Sequence, residues 1–182
     1  NLLRTPTMHL ILTHEQADFD AVASQLGAHL LNETAVPVVS RKQNRNVRAF
    51  LTFYGADLPF VEARDLPSKP VRAVTLVDTQ SLTSVKGMSA ETRVHVIDHH
   101  PLREDLPPEW EITVSGTGAN TTVFVEALRE GMRQEMERDA SVFVMGEGVG
   151  PHAQSPLQRQ GVEGDPDLGV QPASVDDGGQ FR

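Results

Sequence analysis

Three short stretches carry residue types and spacings suited to metal chemistry. They are His14-Glu15-Gln16-Ala17-Asp18-Phe19-Asp20, Val77-Asp78-Thr79 and Asp98-His99-His100. In the first, His14, Asp18 and Asp20 place one imidazole and two carboxylates in a single turn; Asp78 adds a carboxylate at a neighbouring strand end, and His99 adds a second imidazole. Nitrogen and hard oxygen donors without sulfur suit Mn2+, with Mg2+, Co2+ and iron as competitors. Two such ions bridged by one carboxylate would activate water and hold a phosphoryl oxygen, and Asp78 is the residue expected to bridge. His100 would then be free to steady the phosphate or the leaving oxygen. Each residue also has an ordinary use: Asp18 as a helix cap, Asp78-Thr79 as a turn, His14 as a satisfied polar group. Ligand types gathered at one edge weigh against taking each of them separately.

These residues need elements to position them. Met8 to His14 reads as a short apolar strand, and the apolar spacing of Ala21, Val22, Leu26, Leu30 and Leu31 predicts a helix over 17–31. Strands are predicted at 36–39, weakened by Pro37, at 60–62, at 71–78 and at 93–97. Between them, Arg41, Lys42, Arg45 and Arg48 lead into a helix ending near Gly55. Arg45 and Arg48 are candidates to hold a substrate phosphate, although a solvated helix start accounts for them equally well. Alternation of strands and helices predicts an α/β, Rossmann-like parallel sheet with helices on both faces. Ligands of such sheets collect beyond the carboxyl ends of the strands, where His14, Asp78 and Asp98-His99-His100 all fall.

Gly116-Thr117-Gly118-Ala119 lacks the spacing of a phosphate-binding loop and predicts a tight turn before a long helix reaching Arg138. Thr117 or Thr121 is expected to cap that helix, with free N–H groups available to an anion. A last strand is predicted over 141–145, and the composition of residues 151–182 predicts a disordered tail. His9, His29, His95 and His152 have no ligand-spaced partner and read as ordinary residues.

The bulk numbers set limits. A chain of 182 residues holds one domain with a core, or one domain and a tail. A net charge of -9 excludes a protein that coats polyanions by charge alone. The absence of cysteine excludes disulfides, thiolate zinc sites and thiol nucleophiles. No apolar run approaches a membrane span or a signal-peptide core, so the expected location is cytoplasmic, without membrane contact. Oligomeric state is not legible.

The ordered motifs His14…Asp18-Phe19-Asp20, Val77-Asp78-Thr79 and Asp98-His99-His100 resemble those of the DHH phosphoesterase superfamily. That superfamily contains manganese-dependent inorganic pyrophosphatases, single-strand exonucleases and nanoRNases. The resemblance implies that His14, Asp18 and Asp78 hold one ion and that Asp20, Asp78 and His99 hold the second. It implies that Asp98 orients its neighbours, that His100 meets substrate, and that the substrate is a nucleotide or short single-stranded nucleic acid. Residues 10–31 and 44–55 look most similar to the DHH domain opening long bacterial proteins with CBS domains and a CCA-adding-enzyme-like region.

The family's fourth motif, an aspartate after a further helix, has no counterpart after Glu126-Ala127-Leu128, and neither does its second domain. Residues 121–150 instead resemble the opening of the beta subunit of thiamine-diphosphate-dependent 2-oxoacid dehydrogenases. The expected layout is a DHH domain at 8–130, a helix-strand extension of foreign origin at 131–150 and the tail at 151–182. The expected function is metal-dependent hydrolysis of phosphoester bonds, weak or absent because the second ion lacks a carboxylate. The alternatives are a non-catalytic nucleotide-binding module of a larger tRNA-nucleotidyltransferase-like protein, and a dehydrogenase beta-subunit fragment. A fused or frameshifted reading frame is the hypothesis for the double resemblance. Sequencing source DNA across codons 115–160 tests it, and an uninterrupted native frame would reject it.

Overall fold

The computed structural model describes residues 6–142. The elements in chain order are β1 (Met8–Leu12), α1 (Phe19–Leu31), β2 (Ala35–Val39), α2 (Arg45–Tyr54), β3 (Val61–Glu62), β4 (Val71–Val77), β5 (Arg93–Asp98), β6 (Glu111–Val114) and α3 (Asn120–Arg138). Single 3-10 turns lie at Gly55–Asp57 and Ala63–Asp65. The chain divides into two compact units, 1–132 and 133–182, and the sheet belongs to the first. The tail expected over 151–182 lies outside the described residues, as does most of the strand expected over 141–145.

Six strands form one parallel sheet in the order β3-β2-β1-β4-β5-β6, the α/β class expected from the sequence. Strand order reverses between β1 and β4, so the crevice beyond their carboxyl ends is the topological switch point.

The pleat separates two apolar faces. Leu10, Leu12, Val74, Leu76, Val94 and Val96 pack together under Leu66, Leu82, Val85, Met88 and Trp110, which belong to connecting segments. Ile11, Val77 and Ile97 point the other way and meet Ala28 of α1 and Phe124 of α3. α2 packs on α1 through Ala21, Val22, Val47 and Leu51. At Gly27, α1 approaches α3 so closely that an added Cβ would lie 2.5 Å from the Phe124 Cβ.

Pro37 does not weaken β2 as expected. It is fully buried and pairs with Ile11, while β3 pairs only with Val38 and Val39, so the ladder on that side does not extend to the proline. Where β1 and β2 part, buried Gln25 of α1 donates its side-chain amide to the carbonyls of Ile11 and Val38, each at 2.9 Å. β6 was not predicted, because its four residues alternate only weakly and are mostly exposed.

Candidate metal centre

Sequence-distant residues meet at the carboxyl ends of β1, β4 and β5. The turn after β1 runs through Gln16 at φ 63, and Gln16 N–H donates to Lys42 O at 2.7 Å. This left-handed residue, unusual without glycine, reverses the chain so that His14 and Asp18 face the same crevice. Asp18 is the N-cap of α1, and its Oδ1 accepts from Ala21 N–H at 3.1 Å. Its side chain also lies within ligand range of His14 and Asp78, so the cap and metal-ligand readings of Asp18 are compatible.

Asp78 is the hub. It follows β4 at φ 57, a second left-handed non-glycine residue at this edge. Its side chain is only 4% exposed, with Oδ2 3.5 Å from His14 Nε2 and Oδ1 3.4 Å from His99 Nε2 and 3.7 Å from His100 Nδ1. None of these approaches is a hydrogen bond, and Asp78 Oδ1 is a buried oxygen without a partner among the described residues. Burial, followed by repulsion from Asp20, pushes the Asp78 carboxyl up from its usual range, although His14 and His100 oppose the shift.

Both facing imidazoles are tied from behind. His14 Nδ1 donates to Glu15 O at 2.7 Å and His99 Nδ1 donates to Thr117 O at 3.2 Å. With the proton on Nδ1 in each case, the lone pair on Nε2 points toward Asp78. Backbone carbonyls fix metal-binding histidines in this way. A buried unpartnered carboxylate oxygen with two preset imidazole nitrogens is a donor set that fits a divalent cation. Two groups within mutual ligand range result, His14 with Asp18 and Asp78, and Asp78 with His99 and His100.

Asp20 is placed differently from its neighbours. Its Oδ2 accepts Asn120 N–H and its Oδ1 accepts Thr121 N–H, both at 2.8 Å, and the Thr121 hydroxyl bonds it as well. Burial acts to raise this carboxyl, but the Thr121 and Asn120 bonds and the His99 charge outweigh it and hold it low. The anion at the start of α3 is therefore Asp20, and the caps expected at Thr117 or Thr121 are replaced by a carboxylate 100 residues away. Its Oδ2 remains 3.8 Å from His99 Nε2.

Asp98 ends β5 almost fully buried. Its Oδ1 accepts from His99 N–H at 2.8 Å, His100 N–H at 3.3 Å and His100 Nδ1 at 2.8 Å, and its Oδ2 accepts from Gln80 Nε2 at 2.8 Å. Burial acts to raise Asp98, yet the His100 and Gln80 hydrogen bonds prevail and hold it below the usual range. The same bond to Asp98 is the main cause raising the His100 imidazole. His100 Nε2 makes no hydrogen bond among the described residues, on a side chain that is 56% exposed.

Two supporting amides escaped sequence reasoning. Gln80 links Asp98 to Pro101 O at 3.1 Å and accepts Arg103 N–H at 2.8 Å. Asn120 is fully buried under Asp78, and the orientation that satisfies its amide accepts from Asp78 N–H at 3.0 Å and donates to Ile97 O at 3.3 Å. No ligand-type signal marks either residue. Arg45 and Arg48 occupy the first turn of α2, exposed, and neither joins the acid and imidazole groups. His9, His29 and His95 bond Thr75 Oγ1, Ala35 O and Thr113 Oγ1 away from the centre.

Among the described residues, no helix is long and apolar enough to cross a membrane. The sequence pattern of the DHH family, N-terminal domain, matches residues 9–145. The A-adding tRNA nucleotidyltransferase of Geobacter sulfurreducens is 32% identical over 147 residues, which cover 76% of this chain and 16% of that protein.

Proposed function

Because the chain belongs to the DHH family, we propose that it is a metal-dependent phosphoesterase domain acting on nucleotides or short single-stranded oligonucleotides. The observation that carries this reading is Asp78. A buried oxygen without a partner faces two imidazoles whose Nδ1 protons are already committed to backbone carbonyls. His14, Asp18, Asp78 and His99 would hold Mn2+, with Mg2+ or Co2+ as substitutes, and Asp20 would complete a second position. Bound there, the metal supplies Lewis-acid charge to a phosphoryl oxygen and makes water more acidic.

The chain's own residues do the rest. The hydrogen bond to Asp98 raises the His100 imidazole and aims it outward, so that Nε2 can hold a phosphoryl oxygen or give a proton to the leaving oxygen. Gln80 locks Asp98. Arg45 and Arg48 offer charge to a second phosphate. Turnover is expected to be low, because both Asp20 oxygens are already engaged at the start of α3. The sequence layout puts a DHH domain over 8–130 before a helix-strand extension at 131–150 and a tail at 151–182, and the family match, which runs on to residue 145, favours assigning most of that extension to the DHH domain.

Similarity to an A-adding tRNA nucleotidyltransferase supports a second reading, a nucleotide-binding module within a longer protein. One experiment separates the two readings. Hydrolysis of bis(p-nitrophenyl) phosphate by the full chain with Mn2+ is expected to be slow and to fall about 100-fold or more in Asp78→Ala. An unchanged rate in that variant would reject the phosphoesterase reading. No hydrolysis by the wild type, with nucleotide binding retained, would favour the module.

A further inference from the structure

Asp20 stands apart from the ion groups to which its motif assigns it. It joins neither cluster within mutual ligand range, although its Oδ2 lies 3.8 Å from His99 Nε2. The start of α3 holds it instead. Three donors converge on its carboxylate: the Asn120 N–H, the Thr121 N–H and the Thr121 hydroxyl, which also lies 3.0 Å from Asp20 O. Behind them the buried Ser24 hydroxyl stands 3.4 Å from Thr121 Oγ1 and 3.1 Å from the Asn120 side-chain amide. Asn120 in turn accepts the Asp78 N–H. One polar chain through the start of α3 therefore ties Asp20 to Asp78.

The two carboxylates are unequal as ion ligands. Asp78 Oδ1 has no hydrogen-bond partner among the described residues, so an ion takes it without breaking anything. On Asp20, by contrast, an ion must compete with donors already in place. Two of these are backbone N–H groups at a helix start, which any residue but proline would supply. The hydroxyl is specific to the side chain, and a hydroxyl bonded to a carboxylate makes one of the stronger hydrogen bonds. Drawing Asp20 toward Asp78 and His99 stretches that bond. We propose that Thr121 sets the ion count of the centre: its hydroxyl latches Asp20 to α3 and keeps the second position weak, while His14, Asp18 and Asp78 take the first ion. Removing the hydroxyl then helps the second ion. Loss of a supporting hydrogen bond at a metal ligand ordinarily does the reverse, lowering affinity about 10- to 100-fold. This deepens the metal-dependent reading above and rests on its donor set, but not on turnover.

Calorimetric titration of the metal-free full chain with Mn2+ reads the two ions as separate steps. The wild type is expected to bind one ion tightly and a second more weakly. Thr121→Val keeps the shape and both N–H donors. It is expected to tighten the second ion about fivefold or more, the worth of about one hydrogen bond, and to leave the first within about twofold. Thr121→Ser keeps the hydroxyl and is expected to match the wild type. In the double variant Asp20→Ala with Thr121→Val the gain is expected to vanish, because it acts through that carboxylate. A merely structural Thr121 would weaken both ions or neither, and circular dichroism spectra matching the wild type would show that the variants fold. A second ion absent, unmoved or weakened in Thr121→Val, a gain that survives Asp20→Ala, or the same gain in Thr121→Ser would overturn the proposal. Hydrolysis that depends on Mn2+ and on Asp78 alongside any of those results would leave the phosphoesterase reading standing. The expected gain in Thr121→Val, with no hydrolysis by any variant, would remove the phosphoesterase reading and keep the latch.

Discussion

Asp78 combines a left-handed backbone, deep burial and an unpartnered oxygen, with three imidazole nitrogens within 3.7 Å. Without a cation the arrangement costs stability, because a buried carboxylate is desolvated and its Oδ1 receives no hydrogen bond among the described residues. Asp78→Asn keeps the shape and tolerates positive φ, yet removes the charge. Metal-free Asp78→Asn is expected to be more stable than wild type by about 1 kcal/mol at pH 8, measured by urea denaturation in EDTA. A loss of stability would show that the carboxylate is satisfied in the apo fold. The ligand-type residues were legible because Asp and His at strand exits are informative by type. Gln80 and Asn120 were not: their side-chain amides act through geometry, that of Gln80 on Asp98, 18 residues away, and that of Asn120 on the Asp78 N–H and the Ile97 carbonyl.

Elements hold the site through a few close contacts. Gly27 lets α1 and α3 approach, and α3 brings Asn120 under Asp78 and its N–H groups to Asp20. Gly27→Ala would force its Cβ into Phe124, so it is expected to cost about 1–3 kcal/mol, read as a lower melting temperature. An unchanged melting temperature would mean that the helices separate freely. A second test lies at the opposite end of β1, where His9 Nε2 bonds Thr75 Oγ1 at 2.8 Å. Burial first, then the charges of Arg93 and His95, hold the His9 imidazole below its usual value. The unfolded chain therefore binds the proton more readily. Stability contributed by neutral His9 is present above about pH 6.5, and is lost as pH falls until the folded state also protonates. In EDTA, His9→Gln is expected to flatten the fall in stability between about pH 7 and pH 5. Parallel profiles would contradict this.

Periodicity revealed α1, β4 and β5, whose apolar patterns are long. It missed β6, whose four residues are mostly exposed, and misjudged Pro37, whose cost depends on how far β3 extends beside it. Caps were harder still: an Asp on α1 serving α3 leaves no local trace near residue 120.

At the scale of the whole molecule, a charge of -9 leaves phosphate recognition to local features. The metal edge lies at the crevice where strand order reverses, the place this fold leaves for a ligand. The chain spans 16% of the length of the curated relative it matches, so the activity of that longer protein is a separate question. What belongs to this chain is a donor set centred on Asp78. Calorimetric titration of the metal-free full chain with Mn2+ tests it most directly. One tight equivalent is expected in the wild type, absent from Asp78→Ala, with any second ion binding more weakly. No tight ion in the wild type, or the same tight ion in Asp78→Ala, would contradict the assignment.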